Sequence, residues 1–216
     1  MRPASAAVGV LAAALGGCGT DRASAYRAGL ASGDCSGIAD VALADECRVQ
    51  LGQCDPIVGE RARAECAFRD AEARGDPARC ADAGPWVDDC RMHLWTAALP
   101  ALLRDRRPGE FEADAAAEAV RHGFAADDPR PWSALYREWY GRHRPMDRGA
   151  CAGAADPAHA EACRQTGLAQ YADLLQMAHD RGTYPCVGGP LPALLAHAPD
   201  PELDALRAAK IPPCSP

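Results

Sequence analysis

Aromatic residues and lysine are both scarce in this sequence of 216 residues. Phe, Trp and Tyr together make up 6% of it, and Lys210 is the only lysine. A core with so few aromatic rings is built mainly from small side chains that each bury little apolar surface, so another source of stability is needed. The formal net charge of −7 argues against nucleic acid as a partner, because neutralising phosphates requires a basic surface.

Several motifs of catalytic and metal chemistry are absent as well. The sequence has no C-x-x-C redox pair, no C-x-x-C-H haem attachment, no G-x-S-x-G nucleophile motif and no H-E-x-x-H zinc motif. The nearest approach to a zinc site is Cys90 with His93, close to Cys80, and we interpret these cysteines as disulfide partners instead. We therefore predict neither a metal nor a cofactor.

No stretch is long and apolar enough to cross a bilayer, but the N-terminus has the parts of a secretory signal peptide. Residues 1–17 carry one positive charge at Arg2, a short apolar stretch from Ala6 to Leu15, and small residues before Cys18. The end of this stretch, Leu15-Gly16-Gly17-Cys18, resembles the lipobox of bacterial lipoproteins. The resemblance implies export, a mature N-terminus at Cys18 and acylation of that cysteine, with palmitate among the chains that would anchor the protein in a membrane.

Two further features agree with a lipoprotein. Removing Cys18 from the eleven cysteines leaves ten, an even number that can all pair. Residue 19 is Gly and not Asp, which in Gram-negative lipoproteins that this chain resembles implies sorting to the outer membrane. The alternative is a plain secreted protein in which Cys18 stays a thiol. Either way, so many cysteines in an exported chain indicate disulfides.

The cysteines recur at a regular spacing that follows a glycine. The first unit has Gly33, then Cys35, then a second cysteine twelve positions later, and the next unit repeats this register from Cys54. A looser unit and a later one follow the same plan. The predicted pairs within units are Cys35 with Cys47, Cys54 with Cys66, Cys80 with Cys90, and Cys151 with Cys163, while Cys186 remains for Cys214.

Disulfide geometry requires a chain reversal inside each unit. Twelve residues of a straight helix rise about 18 Å, whereas the Cα atoms of a disulfide lie roughly 4.4–6.8 Å apart. The turns are predicted at helix-starting or helix-breaking residues, namely Asp40, Gly59, Gly84-Pro85 and Asp156-Pro157. We expect a short helical segment with the first cysteine and a longer helix with the second. Bridges between neighbouring units, such as Cys47 to Cys54, remain an alternative because spacing alone does not fix connectivity.

The predicted fold is all-α, with disulfide-stapled helical-hairpin repeats that form an irregular solenoid or a compact bundle. After the signal peptide we expect a linker over residues 18–25 and one helical domain over 26–216. That domain contains an insertion without cysteines over 91–148 and a proline-rich tail over 187–216. Helices are predicted over 26–33, 91–103, 110–123, 132–144, 165–182, 191–197 and 201–210.

The helix over residues 132–144 is the most distinctive part of the insertion. Aromatic residues and Leu135 recur along one face of it, and the surrounding segment is rich in arginine. One interpretation is a surface for a glycan, an anionic envelope polymer or a protein partner, since Trp, Tyr and Arg are typical interface anchors. The other is a core face with solvated arginines, which is what such a stripe more often is. The candidate partner-binding residues are Trp132, Tyr136, Arg137, Trp139, Tyr140 and Arg142.

The leading functional hypothesis is a non-catalytic binding or structural module at the membrane surface, because helical repeats present extended surfaces that often bind partners. An extracytoplasmic enzyme is the alternative, and it requires at least two of His93, His143 and His179 to converge with carboxylates in one pocket. A redox or stress buffer is a third hypothesis. The sequence carries no signal for an oligomeric state.

The lipid anchor is tested by metabolic labelling with a palmitate analogue. We expect the protein to incorporate the label, because the lipobox cysteine is the acylation site, and the Cys18→Ser variant to lose all of it. Equal labelling of both proteins, or of neither, would contradict acylation at Cys18. The Cys186→Ser variant is the control for loss of a cysteine elsewhere in the chain.

Overall fold

The computed structural model describes residues 18–215, and this part of the chain is all-α. Its α-helices are α1 Cys18–Ser32, α2 Val41–Leu51, α3 Glu60–Arg74, α4 Val87–Leu103, α5 Glu112–Arg121, α6 Pro129–Arg142, α7 Pro157–Asp180 and α8 Pro201–Lys210. Short 3-10 helices lie at Pro77–Asp82, Gly84–Trp86, Arg148–Gly153 and Ala193–Leu195. Among these described helices, none is both long and apolar enough for a membrane span. The predicted signal peptide, residues 1–17, and the side chain of Cys18 lie outside the described part.

The predicted turns are the places where helices begin. Asp40 precedes α2 and accepts a hydrogen bond from the Leu43 amide at 3.1 Å, so it caps the free N–H groups of the first turn. Asp156 precedes α7 in the same way, and Pro157 is the first helical residue. Gly52, which ends α2, has a φ of +67°, a left-handed conformation that favours glycine.

All five predicted disulfides are present: Cys35–Cys47, Cys54–Cys66, Cys80–Cys90, Cys151–Cys163 and Cys186–Cys214. Their Cα atoms lie between 4.8 and 6.0 Å apart, within the range that a disulfide requires. The pairing within units is therefore confirmed, and the bridge between Cys47 and Cys54 does not form. The second cysteines lie on helices, as predicted.

The conformation of the first cysteines differs from the prediction. Cys35 and Cys54 lie in matching non-helical turns, in which the amide three residues later donates to the cysteine carbonyl at 3.2 Å. Cys80 and Cys151 lie in 3-10 helices. The segment between a C-terminal glycine and the next N-cap is too short for an α-helical turn with its own hydrogen bonds, so it forms tight turns instead.

The first three helices stack in sequence, and each hairpin is tied to the next by polar contacts. The buried carboxylate of Asp45 on α2 accepts from the amides of Val58 and Gly59, at 3.2 and 2.8 Å, just before α3 begins. The side-chain amide of Gln53 donates to the carbonyl of Gly33 at 2.9 Å. Cystines, alanines and a few aliphatic residues form two small apolar clusters between these helices, and a third cluster, with Ala71 and Cys90, joins α3 to α4. This part of the protein has the repeat-like arrangement that the spacing predicted.

The main core is formed by α4 to α8, and the segment predicted as an insertion supplies much of it. The core holds most of the large buried side chains: Trp95, Leu99, Leu103, Phe111, Phe124, Trp132, Leu135, Tyr136, Trp139, Tyr140, Met146, Tyr171, Leu175, Tyr184, Leu195, Leu203 and Ile211. Residues 91–148 therefore form the centre of a helical bundle. The disulfide-linked hairpins of α1 to α3 contact this bundle through α4.

Several element boundaries differ from the prediction. Helix α1 already begins at Cys18, where a linker to residue 25 was expected. Helix α7 is one continuous helix of 24 residues, so the fourth unit and the helix predicted from residue 165 are a single element. In the tail, the helix predicted over 191–197 is only a 3-10 turn, whereas α8 has the predicted bounds. Val187 pairs with Pro212 and Cys214 through backbone hydrogen bonds of 2.7 and 3.0 Å, beside the Cys186–Cys214 bridge.

Close packing of α6 against α7 depends on a missing side chain at Gly167. A Cβ atom there would lie 2.7 Å from Cζ of Tyr140 and 2.9 Å from Cγ of Arg148, both of which are held in the core. We expect Gly167→Ala to lower the free energy of unfolding by about 1–3 kcal/mol in urea denaturation of the oxidised protein. The control is Gly141→Ala on α6, where a Cβ meets no atom within 4 Å. That variant should gain up to about 1 kcal/mol from helix propensity, and destabilisation of equal size in both variants would refute the packing argument.

The Asp45 carboxylate should make a pH-dependent contribution to stability. Burial alone would raise the pKa of Asp45, but hydrogen bonds from Gly59, Val58 and Arg48 outweigh it and hold the pKa below its ordinary value. We expect Asp45→Asn to cost roughly 1–3 kcal/mol at neutral pH, because charge-assisted bonds are lost.

The difference between wild type and Asp45→Asn has a defined pH dependence. The carboxylate stabilises the fold above its unfolded pKa of about 3.9, and this contribution is lost as the pH falls through the lower folded pKa. Urea titrations at several pH values measure it. Glu46→Gln, an exposed neighbour on α2, is the control and should change stability little. A cost for Asp45→Asn that persists unchanged in acid would show that the charge is not responsible.

Candidate functional site

The aromatic face of α6 is part of the core and not a binding surface. Trp132, Tyr136, Trp139 and Tyr140 have exposed fractions of 7% or less. These four candidate partner-binding residues are therefore unavailable to a partner, and the core interpretation of the stripe is correct. Of the six candidates, only Arg137 and Arg142 reach the surface, on the opposite side of the helix.

The buried polar atoms of this stripe have partners within the protein. The Tyr136 hydroxyl donates to Glu112 Oε1 at 3.3 Å, and Trp139 Nε1 donates to the Arg106 carbonyl at 3.0 Å. The Tyr140 hydroxyl lies 3.0 Å from Sγ of Cys151. Burial raises the pKa of both tyrosines well above the usual range. Both hydroxyls are thus neutral at physiological pH, and their contacts are those of a satisfied core.

Trp86 is the tryptophan that reaches the surface. The other three, Trp95, Trp132 and Trp139, are buried, whereas Trp86 is partly exposed in the 3-10 turn Gly84–Trp86. This turn lies inside the loop closed by the disulfide between Cys80 and Cys90, which are ten positions apart, and Trp86 directly follows Pro85. A covalent bridge and a proline therefore fix the position of an accessible indole ring.

Clefts lie on two sides of Trp86. The first has a volume of about 620 Å³ and is formed by the start of α3 and the Trp86 turn; its charged residues are Glu60, Arg61, Arg63 and Asp82. The second, of about 470 Å³, lies between α3 and the start of α4, and is lined by Glu65, Phe68, Arg69, Glu72, Trp86 and Asp89. Both volumes lie within the range of small-ligand sites. We call the surface of Trp86 and these two clefts the Trp86 face.

The first cleft combines donors and acceptors without an excess of either charge. Its two carboxylates are matched by two guanidinium groups, and Glu60, Arg61 and Asp82 form no ion pair with another residue of the described part. Arg63 is held in place because its Nη2 donates to the Ile57 carbonyl at 3.0 Å. The cleft is open beside Gly84, where Ala64 is the nearest side chain. Unpaired polar groups beside an aromatic ring are suited to binding a polar ligand.

The polar groups of the second cleft are more fully paired. Glu65 and Arg69 form an ion pair at 2.9 Å, and Glu72 Oε1 lies 3.0 Å from Nε2 of His93. The ring of His93 also packs against Phe68, with 5.6 Å between the ring centroids. This cleft therefore offers an apolar floor with few free hydrogen-bonding groups.

The histidines required by the enzyme hypothesis have separate surroundings. His93 lies on α4 beside Glu72, while His143 follows α6, stacks on Trp139 and places Nδ1 2.9 Å from the Trp139 carbonyl. His179 lies in the last turn of α7. Each of the three is on a different helix or helix end, and no catalytic group follows from their positions. The enzyme alternative remains a prediction.

Cysteine ligands are not available for a metal near His93. Cys80 and Cys90 are joined to each other, so neither has a free thiolate. Across residues 18–215, no cluster of three or more His, Cys, Asp or Glu side chains has the arrangement of a metal site.

Sequence reasoning did not single out Trp86, although a signal for it exists. Trp86 follows Gly84-Pro85 in a predicted turn and belongs to no helical apolar stripe, which is the pattern of an exposed aromatic residue. Neither family models, nor curated proteins, nor solved structures gave a match to this chain.

Proposed function

We propose that this protein is a non-catalytic binding module of the bacterial cell envelope that is anchored through acylated Cys18 and binds a saccharide on its Trp86 face. Five disulfides support an extracytoplasmic location, since such bonds persist in oxidising compartments. The lipobox-like sequence before Cys18 supports a lipid anchor, and Gly19 supports the outer membrane. The single observation that carries the binding proposal is the accessible Trp86 between two clefts.

An exposed tryptophan held rigidly between clefts is a typical anchor for a ligand. The indole offers a large flat surface and loses little conformational entropy on binding, because it has only two side-chain torsions. The Cys80–Cys90 bridge and Pro85 restrict its backbone before any ligand arrives. Preorganisation of this kind lowers the cost of binding.

The chemistry of the first cleft favours a saccharide over a charged ligand. Glu60 and Asp82 accept hydrogen bonds, Arg61 and Arg63 donate them, and the four charges cancel. A sugar ring offers many hydroxyl groups, which both donate and accept, and an apolar face of C–H groups that stacks on an indole ring. A phosphate or polyacidic ligand would instead meet the repulsion of two carboxylates.

The saccharide proposal is tested with soluble peptidoglycan fragments as the probe. Acrylamide should quench the fluorescence of Trp86 but not that of the three buried tryptophans. The fragments should protect Trp86 from acrylamide, and Trp86→Ala should weaken their binding about tenfold or more, as expected for an interface anchor.

Val120→Ala on α5 is the control, since Val120 is exposed and does not line the two clefts. It should leave fragment binding unchanged. Fragment binding that is the same in wild type and Trp86→Ala would contradict the proposal. If the wild-type protein binds no fragment but binds a purified envelope protein, and Trp86→Ala loses that binding, the partner is a protein in place of a saccharide.

A further inference from the structure

Another cleft, of different chemistry, lies at the C-terminal end of α6. It has a volume of about 360 Å³, and its lining includes three guanidinium groups, from Arg107, Arg142 and Arg144, the imidazole of His143 and one carboxylate, from Asp147. We call it the arginine cleft. Such a concentration of positive charge contrasts with the net charge of −7 of the whole chain.

Two of the three guanidinium groups have no carboxylate partner. Arg142 Nε donates to Glu138 Oε1 at 2.7 Å, whereas the side chains of Arg107 and Arg144 form no ion pair within residues 18–215. Asp147 accepts from the Gly149 amide at 2.9 Å, which occupies one of its oxygens as the cap of the following 3-10 helix. Positive charge at this cleft therefore exceeds the negative charge that faces it.

The walls of the arginine cleft are held by contacts from other elements. The indole of Trp139 donates to the Arg106 carbonyl, and this bond holds the turn with Arg107 against α6. On the other side, the Met146 amide donates to Ala196 at 2.9 Å, and the Ala198 amide donates to Met146 at 2.7 Å. The backbone next to Arg144 is thus clamped by the tail. The cleft is preformed and does not require a ligand to assemble it.

The surroundings of Arg144 leave part of its charge uncompensated. Arg144 is exposed to solvent, and it forms no ion pair within residues 18–215, although partial desolvation lowers its pKa from the ordinary value. An anion in the cleft would give this unpaired guanidinium a charge partner. The imidazole of His143 is fixed by the contact of its Nδ1 with the Trp139 carbonyl, so its Nε2 remains for a ligand.

We propose that the arginine cleft binds the phosphate group of a phosphate ester. The guanidinium groups come from two elements, Arg107 from the turn before α5 and Arg142 and Arg144 from the end of α6, and all three line the same cleft. A tetrahedral phosphate has oxygens in several directions and can bind more than one of them. A planar carboxylate is satisfied by a single arginine and would use the site poorly.

The arginine cleft is independent of the Trp86 face in sequence and in chemistry. None of its lining residues lines the two Trp86 clefts, and it carries net positive charge where the first Trp86 cleft carries none. The phosphate ester has two sources, the headgroup of a phospholipid or a soluble phosphorylated sugar. The headgroup carries a phosphodiester and the sugar a phosphomonoester, so both offer anionic non-bridging oxygens to the arginines. The experiment separates the two sources.

Isothermal titration calorimetry of the purified protein with glycerol 3-phosphate, in a buffer without other oxyanions, tests the site. We expect saturable binding, and about a tenfold loss for Arg107→Gln and for Arg144→Gln, because each removes a charge-assisted bond. Arg137→Gln is the matched control, since Arg137 is an exposed arginine of the same helix that does not line the cleft. Acetate should bind much more weakly than the phosphate ester.

The source of the phosphate is resolved by sedimentation of the Cys18→Ser protein with neutral phosphatidylcholine vesicles that contain or lack phosphatidylglycerol. If the protein sediments only with vesicles that contain phosphatidylglycerol, and Arg144→Gln abolishes this, the ligand is a lipid headgroup. If the protein binds glycerol 3-phosphate but not the vesicles, the ligand is a soluble ester. The proposal is overturned if no phosphate ester binds, if binding is unchanged in both Arg107→Gln and Arg144→Gln, or if acetate binds equally well. Trp86→Ala should leave phosphate binding intact, so failure of one proposal is distinguishable from failure of the other.

Discussion

The distance between the two cysteines of a disulfide is the constraint on which this structure depends. A helical chain with cysteines twelve positions apart satisfies it only by reversing direction between them, and the Cα separations of 5.5–6.0 Å in the three units with this spacing follow from that reversal. Each reversal leaves a tight turn, a helix start at Asp40, Gly59 or Asp156, and a helical hairpin. The bridges thus determine the local architecture as well as its stability.

Two different means of stabilisation follow from the uneven distribution of large side chains. Between α1, α2 and α3 the apolar clusters are small and consist of cystines, alanines and a few aliphatic residues. Closing a loop of about a dozen residues, worth on the order of 3 kcal/mol, therefore matters there. From α4 to α8 the aromatic residues are concentrated in one cluster. A chain with few aromatic rings can therefore still form a full core in one region, while disulfides hold the other.

The features that were predictable from sequence are those encoded within a few residues of each other. Caps at Asp40 and Asp156, the left-handed Gly52 and the pairing of near cysteines are local, and the sequence specifies them directly. The role of the α6 stripe is not encoded locally, because helical periodicity shows that one face is apolar without showing which elements cover it. That face is covered by α7 and α4, and by Phe111 just before α5, whose ring packs against Tyr136. Exposure of Trp86 and convergence of Arg107 with Arg144 likewise depend on contacts between distant segments.

The stapled turns also determine where ligand-binding groups can be held. A surface loop normally gains mobility from its exposure, and a mobile side chain loses entropy when it binds. Trp86 lies within the loop closed by Cys80 and Cys90, so its backbone is restrained although its ring is accessible. Arg144 lies between the end of α6 and the 3-10 helix that carries Cys151, where the bridge to Cys163 and the pairing of Met146 with the tail restrict the chain. Both candidate surfaces are therefore short connections made rigid by the bonds that fold the protein, which explains how a small-residue framework can present ordered side chains to a ligand.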